Sequence, residues 1–128
     1  MNNEQHTVLI VEDDQILLRM LANMLKEKGL IVLEAKNGLE GMAQIGAAIP
    51  DLMLLDIDMP QMDGIAMLRN LKENNIKVST LMLTNLTNST YIADAAELGV
   101  NEFLVKSDWE IDDIVTKVEE KLLRAHHS

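Results

Sequence analysis

The chain has 128 residues and a mass of 14.3 kDa, enough for one domain with a full hydrophobic core. Its 11 basic and 21 acidic side chains leave a formal charge of −10, which argues against direct nucleic-acid binding, since affinity for a phosphate backbone needs clustered Lys and Arg. Cysteine is absent, which excludes disulfides and thiol chemistry, and no apolar run is long enough to span a membrane or to form a signal peptide, as expected of a cytoplasmic protein.

The first apolar run, Val8 to Val11, reads as a short buried strand and ends in three acids, Glu12, Asp13 and Asp14. Asp14 is placed to N-cap a helix with Leu17, Leu21, Met24 and Leu25 on its apolar face, and Gly29 suits its C-terminal end because glycine tolerates positive φ. A second strand, LIVLEA, follows. Asn37 and Glu40 have capping-box spacing at the start of a helix reaching about Ala48. After Pro50 an unbroken run, Leu52 to Leu55, leads straight into Asp56, then Asp58, Met59-Pro60 and Asp63-Gly64. A helix from about Gly64 to Asn74 places Ile65, Leu68 and Leu71 on one side. The run VSTLMLTN ends in Thr84-Asn85, Asn88 or Ser89 can cap a fourth helix, and Gly99 ends it. NEFLVKS ends in Lys106-Ser107. Ser107 and Glu110 again have capping-box spacing and are expected to start the last helix, with Ile111, Ile114, Val115, Val118 and Leu122 on its apolar face. The closing AHHS is expected to be a frayed, exposed end rather than a metal site.

Five strand-helix units with no linker between them make an α/β domain. Unbroken apolar strands are the habit of parallel sheets covered by helices, in which ligands collect at the carboxyl ends of the strands. If the runs are adjacent parallel strands, Glu12, Asp13, Asp56, Thr84 and Lys106 converge on one rim. Each of these side chains follows or ends an apolar run.

The motifs VLIVEDD, PDLMLLDIDMPQMDG, LMLT and FLVK occur in this order between about Thr7 and Leu123. Together they closely resemble the receiver domain of two-component response regulators. The resemblance implies a flavodoxin-like (βα)5 fold, a doubly wound parallel sheet of strand order 2-1-3-4-5. It implies one receiver domain over residues 1–128, core about 7–123, with no output domain, acting by docking to another protein. It further implies that Asp56 accepts a phosphoryl group from a phosphohistidine on a sensor histidine kinase or phosphotransfer protein. Lys106 would stabilise charge on the transferring oxygens, and Thr84 and the switch aromatic Phe103 would pass the change to a downstream protein target. The readout surface implied is the fourth helix, fifth strand and fifth helix, with Tyr91 on the same face. Three crowded carboxylates raise one another's pKa unless a cation neutralises them, and magnesium is the expected ion because it takes a few carboxylates together with waters and phosphate oxygens. The family's pattern assigns it to Glu12, Asp13, Asp56 and the backbone carbonyl of Asp58, with Asp13 binding directly and Glu12 through water.

The chain departs from the family at Ser107, where proline is usual, so a trans Lys106–Ser107 bond is expected. Asn85 is larger than the usual small residue after the switch threonine, and Asp58 adds a fourth acid. Trp109 follows Lys106 by three residues and is expected near the site. Two other readings are open. Asp56-Ile57-Asp58 also resembles the DxD opening of haloacid-dehalogenase-type phosphohydrolases, although those keep their metal-binding acids late in the chain. A receiver-like module that never takes phosphate is the other. The expectation adopted is a phosphoacceptor switch and not an enzyme, beyond self-phosphorylation and self-dephosphorylation.

Overall fold

The computed structural model of the chain describes residues 6–85 and 89–127. Strands and helices alternate: β1 (Thr7–Val11), α1 (Gln15–Glu27), β2 (Ile31–Ala35), α2 (Gly38–Ala47), β3 (Leu52–Leu55), α3 (Gly64–Glu73), β4 (Thr80–Thr84), α4 (Ser89–Glu97), β5 (Phe103–Val105) and α5 (Ile111–His127). The five strands form one parallel sheet in the order β2-β1-β3-β4-β5, as expected. Every residue of β3 and β4 is buried, which is why their sequences are continuous apolar runs, whereas the edge strand β2 is only partly covered. Among the described residues no helix is long and apolar enough to cross a membrane.

The helix starts follow local chemistry closely. Asp14 Oδ1 accepts from the N–H groups of Ile16 and Leu17, and Asp63 Oδ1 accepts from Ala66 N–H at 2.8 Å. Asn37 accepts from Glu40 N–H at 2.9 Å, but Glu40 returns its carboxylate to Lys36 N–H, one residue before the cap, rather than to Asn37. Gly29 and Gly99 end α1 and α4 with φ of 87° and 94°, the left-handed geometry that penalises any Cβ. On α1 the buried positions are Leu18, Leu21, Ala22 and Leu25. The expected Leu17 and Met24 pack only at the margin of the core.

Two expectations about the C-terminal region are corrected. Ser107 does not cap the last helix. Lys106–Asp108 forms a single 3-10 turn closed by Trp109 N–H on Lys106 C=O at 3.4 Å, which absorbs Ser107 into helical backbone where an N-cap must be extended. The α-helical bonding of α5 begins instead with Ile114 N–H on Glu110 C=O. No peptide bond among the described residues is cis, so Lys106–Ser107 is trans, as expected. Of the closing AHHS, expected to be frayed, Ala125 to His127 continue α5 in helical backbone, and Ser128 lies outside the described residues. Helix α4 begins at Ser89, while the alternative cap Asn88 lies outside the described residues.

Strand alternation sorts the core into two layers. Val8, Ile10, Leu54, Leu81 and Leu83 face α1 and α5, and Leu9, Val11, Met53, Leu55 and Met82 face α2, α3 and α4. Both layers close around β1, β3 and β4, and the carboxyl ends of those strands emerge together.

Candidate functional site

The site begins where the two central strands stop. Val11 and Leu55 are register partners, and the next residues on each strand are acidic. Asp56 N–H donates to Val11 C=O at 3.0 Å and Glu12 N–H donates to Ala35 C=O at 3.0 Å, so the backbone ladder fixes where both carboxylates start. Glu12 is 1% exposed and Asp56 4%, while Asp13 lies open to solvent. One oxygen from each of these three residues falls within 4.8 Å of the others.

Lys106, immediately after β5, supplies the positive charge. Its Nζ lies 2.8 Å from Glu12 Oε1 and 3.4 Å from Asp56 Oδ2. Glu12 Oε2 accepts from Asp14 N–H at 3.0 Å. Lys106 therefore sits closer to Glu12 than to Asp56. Thr84 ends β4 opposite Val105 and is buried, so its hydroxyl stands at the same edge of the sheet.

Burial pushes the Asp56 carboxyl up to about 7, with the Glu12 charge adding to it and Lys106 only partly opposing. Burial likewise raises Glu12. Burial acts to lower Lys106, but its pairing with Glu12 and Asp56 outweighs that and holds it above the ordinary lysine value. When all three are ionised, the acids carry more negative charge than one lysine neutralises. An all-oxygen donor set with excess negative charge fits a hard divalent cation.

The segment 57–63 that leaves Asp56 is held by two glycines. Gly64 N–H donates to Ile57 C=O at 2.8 Å, and a Cβ on Gly64 would stand 2.3 Å from Asp56 O. Gly38 N–H donates to Met62 C=O at 3.0 Å, where a Cβ would come within 2.4 Å of that same oxygen. Gln61 adopts φ 68°. These supports were not singled out from sequence, although Asn37-Gly38 and Asp63-Gly64 are both turn dipeptides that mark such places. Asp58 is exposed on this segment and its carboxylate is not part of the acidic cluster. Phe103 starts β5 opposite Met82 and is 38% exposed, and Tyr91 is half-buried against the α3–α4 layer. Trp109 is also 38% exposed and is joined to Lys106 through the 3-10 turn.

Residues 8–119 match the family model described as the response regulator receiver domain. Over 102 residues the chain is 32% identical to the chemotaxis protein CheY of Bacillus subtilis, covering 79% of this chain and 85% of that one. It is also 32% identical over 99 residues to the Regulator of RpoS of Escherichia coli, and spans only 29% of that protein's length. Among solved structures, a two-component response regulator from Clostridium difficile superimposes with a TM-score of 0.85 at 25% identity, covering 97% of this chain and all of that one. The N-terminal domain of an uncharacterized protein from Wolinella succinogenes gives 0.84 at 28% identity, covering 96% and 99%.

Proposed function

Because the chain belongs to the response regulator receiver family, whose members are phosphorylation-dependent signalling switches, we propose that Asp56 is its phosphoryl acceptor. The observation that carries this reading is a buried carboxylate at the end of the central strand, with a lysine 3.4 Å away and two further acids around it. An ionised Asp56 oxygen attacks the phosphorus of a phosphohistidine. The phosphorus–nitrogen bond breaks, the imidazole leaves with the bonding pair, and an aspartyl phosphate forms.

Lys106 stands ready to follow the charge. Its Nζ can leave Glu12 and Asp56 for a phosphoryl oxygen, because phosphorylation of the Asp56 carboxylate removes the charge that helps hold the ammonium there. Glu12, Asp13, Asp56 and the backbone carbonyl of Asp58 would hold magnesium, which when bound offsets the negative charge on the phosphoryl oxygens. Exposed Asp13 is suited to direct ligation. Glu12, already engaged by Lys106 and Asp14 N–H, is suited to acting through water.

Thr84 donates its hydroxyl to the phosphoryl group, and Phe103 turns inward from its exposed position. The face of α4, β5 and α5 then presents a changed surface to a downstream protein target. The donor is a sensor histidine kinase or histidine phosphotransfer protein. The formal charge of −10 supports protein partners over nucleic acid, and the mean composition supports a cytoplasmic domain that does not insert into membranes. The chemistry stops at self-phosphorylation and self-dephosphorylation.

Incubation with acetyl phosphate and magnesium tests the assignment. The wild-type chain should gain one phosphoryl group by intact mass, and Asp56→Asn should gain none while Asp58→Asn still labels. Full labelling of Asp56→Asn would remove the central claim, and no labelling of the wild type by any phosphodonor would make the chain a static binding module.

A further inference from the structure

The two core layers differ in kind. Against α1 and α5 the buried side chains are Leu, Ile, Val and Ala, and among the described residues Met24 alone of the methionines packs there, at the margin. On the side of α2, α3 and α4 the buried methionines are Met53 and Met82 of the sheet, Met67 of α3 and Met59 of the segment after Asp56, with Met42 and Met62 packed beside them. Methionine has three rotatable bonds and no branch, so it refills space when its neighbours shift, whereas Val and Ile are stiff at χ1 and Leu has fewer rotatable bonds and better-defined rotamers.

We propose that the methionine-lined layer of α2, α3 and α4 is the compliant half of this domain, so that the α4–β5–α5 face changes through α4 and Phe103 while the core packed between the sheet and α1 and α5 stays fixed. The inference rests on Asp56 as the acceptor and adds where the fold yields. Thr84 lies two residues beyond Met82 on the same face of β4, and Phe103 is paired with Met82 across the sheet. Both groups that respond to the phosphate therefore press on the methionine side. The acceptor segment reaches that layer too, because Met62 is bonded to the start of α2, and α2 in turn sits on Met67, where a Cβ at Gly41 would come within 2.8 Å of Met67 Cε. A displacement at Asp56, Thr84 or Phe103 thus meets side chains able to repack, while Leu18, Leu21, Leu25 and Leu122 on the other face remain interlocked.

The test is methyl NMR on protein labelled at Met ε and Leu δ positions. In the free protein, microsecond-to-millisecond exchange is expected at Met53, Met67 and Met82 and not at Leu18, Leu21, Leu25 or Leu122. Adding magnesium and beryllofluoride should shift the first group and leave the second in place. The volume-conserving triple variant Met53→Leu, Met67→Leu, Met82→Leu should fold, lose the exchange and bind beryllofluoride more weakly. Equal exchange in both layers, exchange confined to the leucine layer, or a triple variant that moves as the wild type does would overturn the proposal. A missing bound-fluoride signal in 19F spectra would refute the acceptor reading instead, and exchange in the free protein would still decide which layer yields.

Discussion

Replacing Asp56 with Asn should abolish phosphorylation and at the same time stabilise the metal-free fold. Unfolded, this carboxyl ionises at its ordinary 3.8; folded, burial and the charge of Glu12 hold its proton to about 7. Between those values the folded state binds more protons than the unfolded state. Stability from this group is therefore complete below the unfolded value, falls as pH rises, and is lost once the folded carboxyl ionises. A displacement of this size corresponds to about 4 kcal/mol over the whole window and about 2–3 kcal/mol between pH 5 and pH 8. Asparagine has no proton to lose and nearly the same shape, so the variant escapes the decline. Urea unfolding of both proteins in EDTA reads the difference, because titrations away from the site cancel in the comparison and only Glu12 and Lys106, which face Asp56, shift with it. The gap should close only below about pH 4, stand at roughly 1.5–2 kcal/mol at pH 5, and reach about 4 kcal/mol in favour of the variant at pH 8. Magnesium should then close the gap by stabilising the wild type, by about 2.7 kcal/mol at a hundredfold excess over its dissociation constant. A variant no more stable than wild type at pH 8 in EDTA, or a wild type equally stable at pH 5 and 8, would refute the electrostatic argument.

Asp13→Asn should lose the magnesium-dependent rise in melting temperature while its metal-free form is no less stable than wild type, since one of the mutually repelling acids is gone; a large metal-free loss would make Asp13 structural. Gln61→Gly should raise the urea midpoint slightly: φ 68° costs a residue with a Cβ about 1–2 kcal/mol, and glycine's greater freedom when unfolded returns about 0.5–1 kcal/mol of that gain. A lower midpoint would show that the Gln61 side chain does more than its backbone costs. Gly64→Ala should destabilise by about 1–3 kcal/mol or more, because its Cβ would press on the rigid backbone at Asp56 O, and a neutral result in thermal melts would contradict the packing described. Trp109 emission should change when magnesium and beryllofluoride bind, and not in Asp56→Asn. Unaltered emission in protein that carries the fluoride would mean that the 3-10 turn after Lys106 is rigid.

Most of the strands and the chemistry at their ends were legible in the residues alone, because a strand buried on both faces must be apolar throughout and has to stop where a carboxylate or lysine needs solvent or a partner. Asp14, Asn37 and Gly29 were legible for a similar reason, since caps satisfy their neighbours within a few residues. The order of the strands was not written in any run of sequence and was available beforehand only through family resemblance. Short-range patterns failed where distant or competing bonds intervened. Ser107 and Glu110 had the right spacing, yet a 3-10 turn closing onto Lys106 took the cap position away. Tertiary structure alone decided that Lys106 leans closer to Glu12 than to Asp56, that Gly38 and Gly64 are spaces filled by other backbone atoms, and that the methionines gather on one side of the sheet. Each of these depends on which segments the fold brings together in space rather than on what stands next along the chain. A local pattern records what a residue needs nearby, whereas its partners are chosen by the sheet order and the two helical layers folded against it.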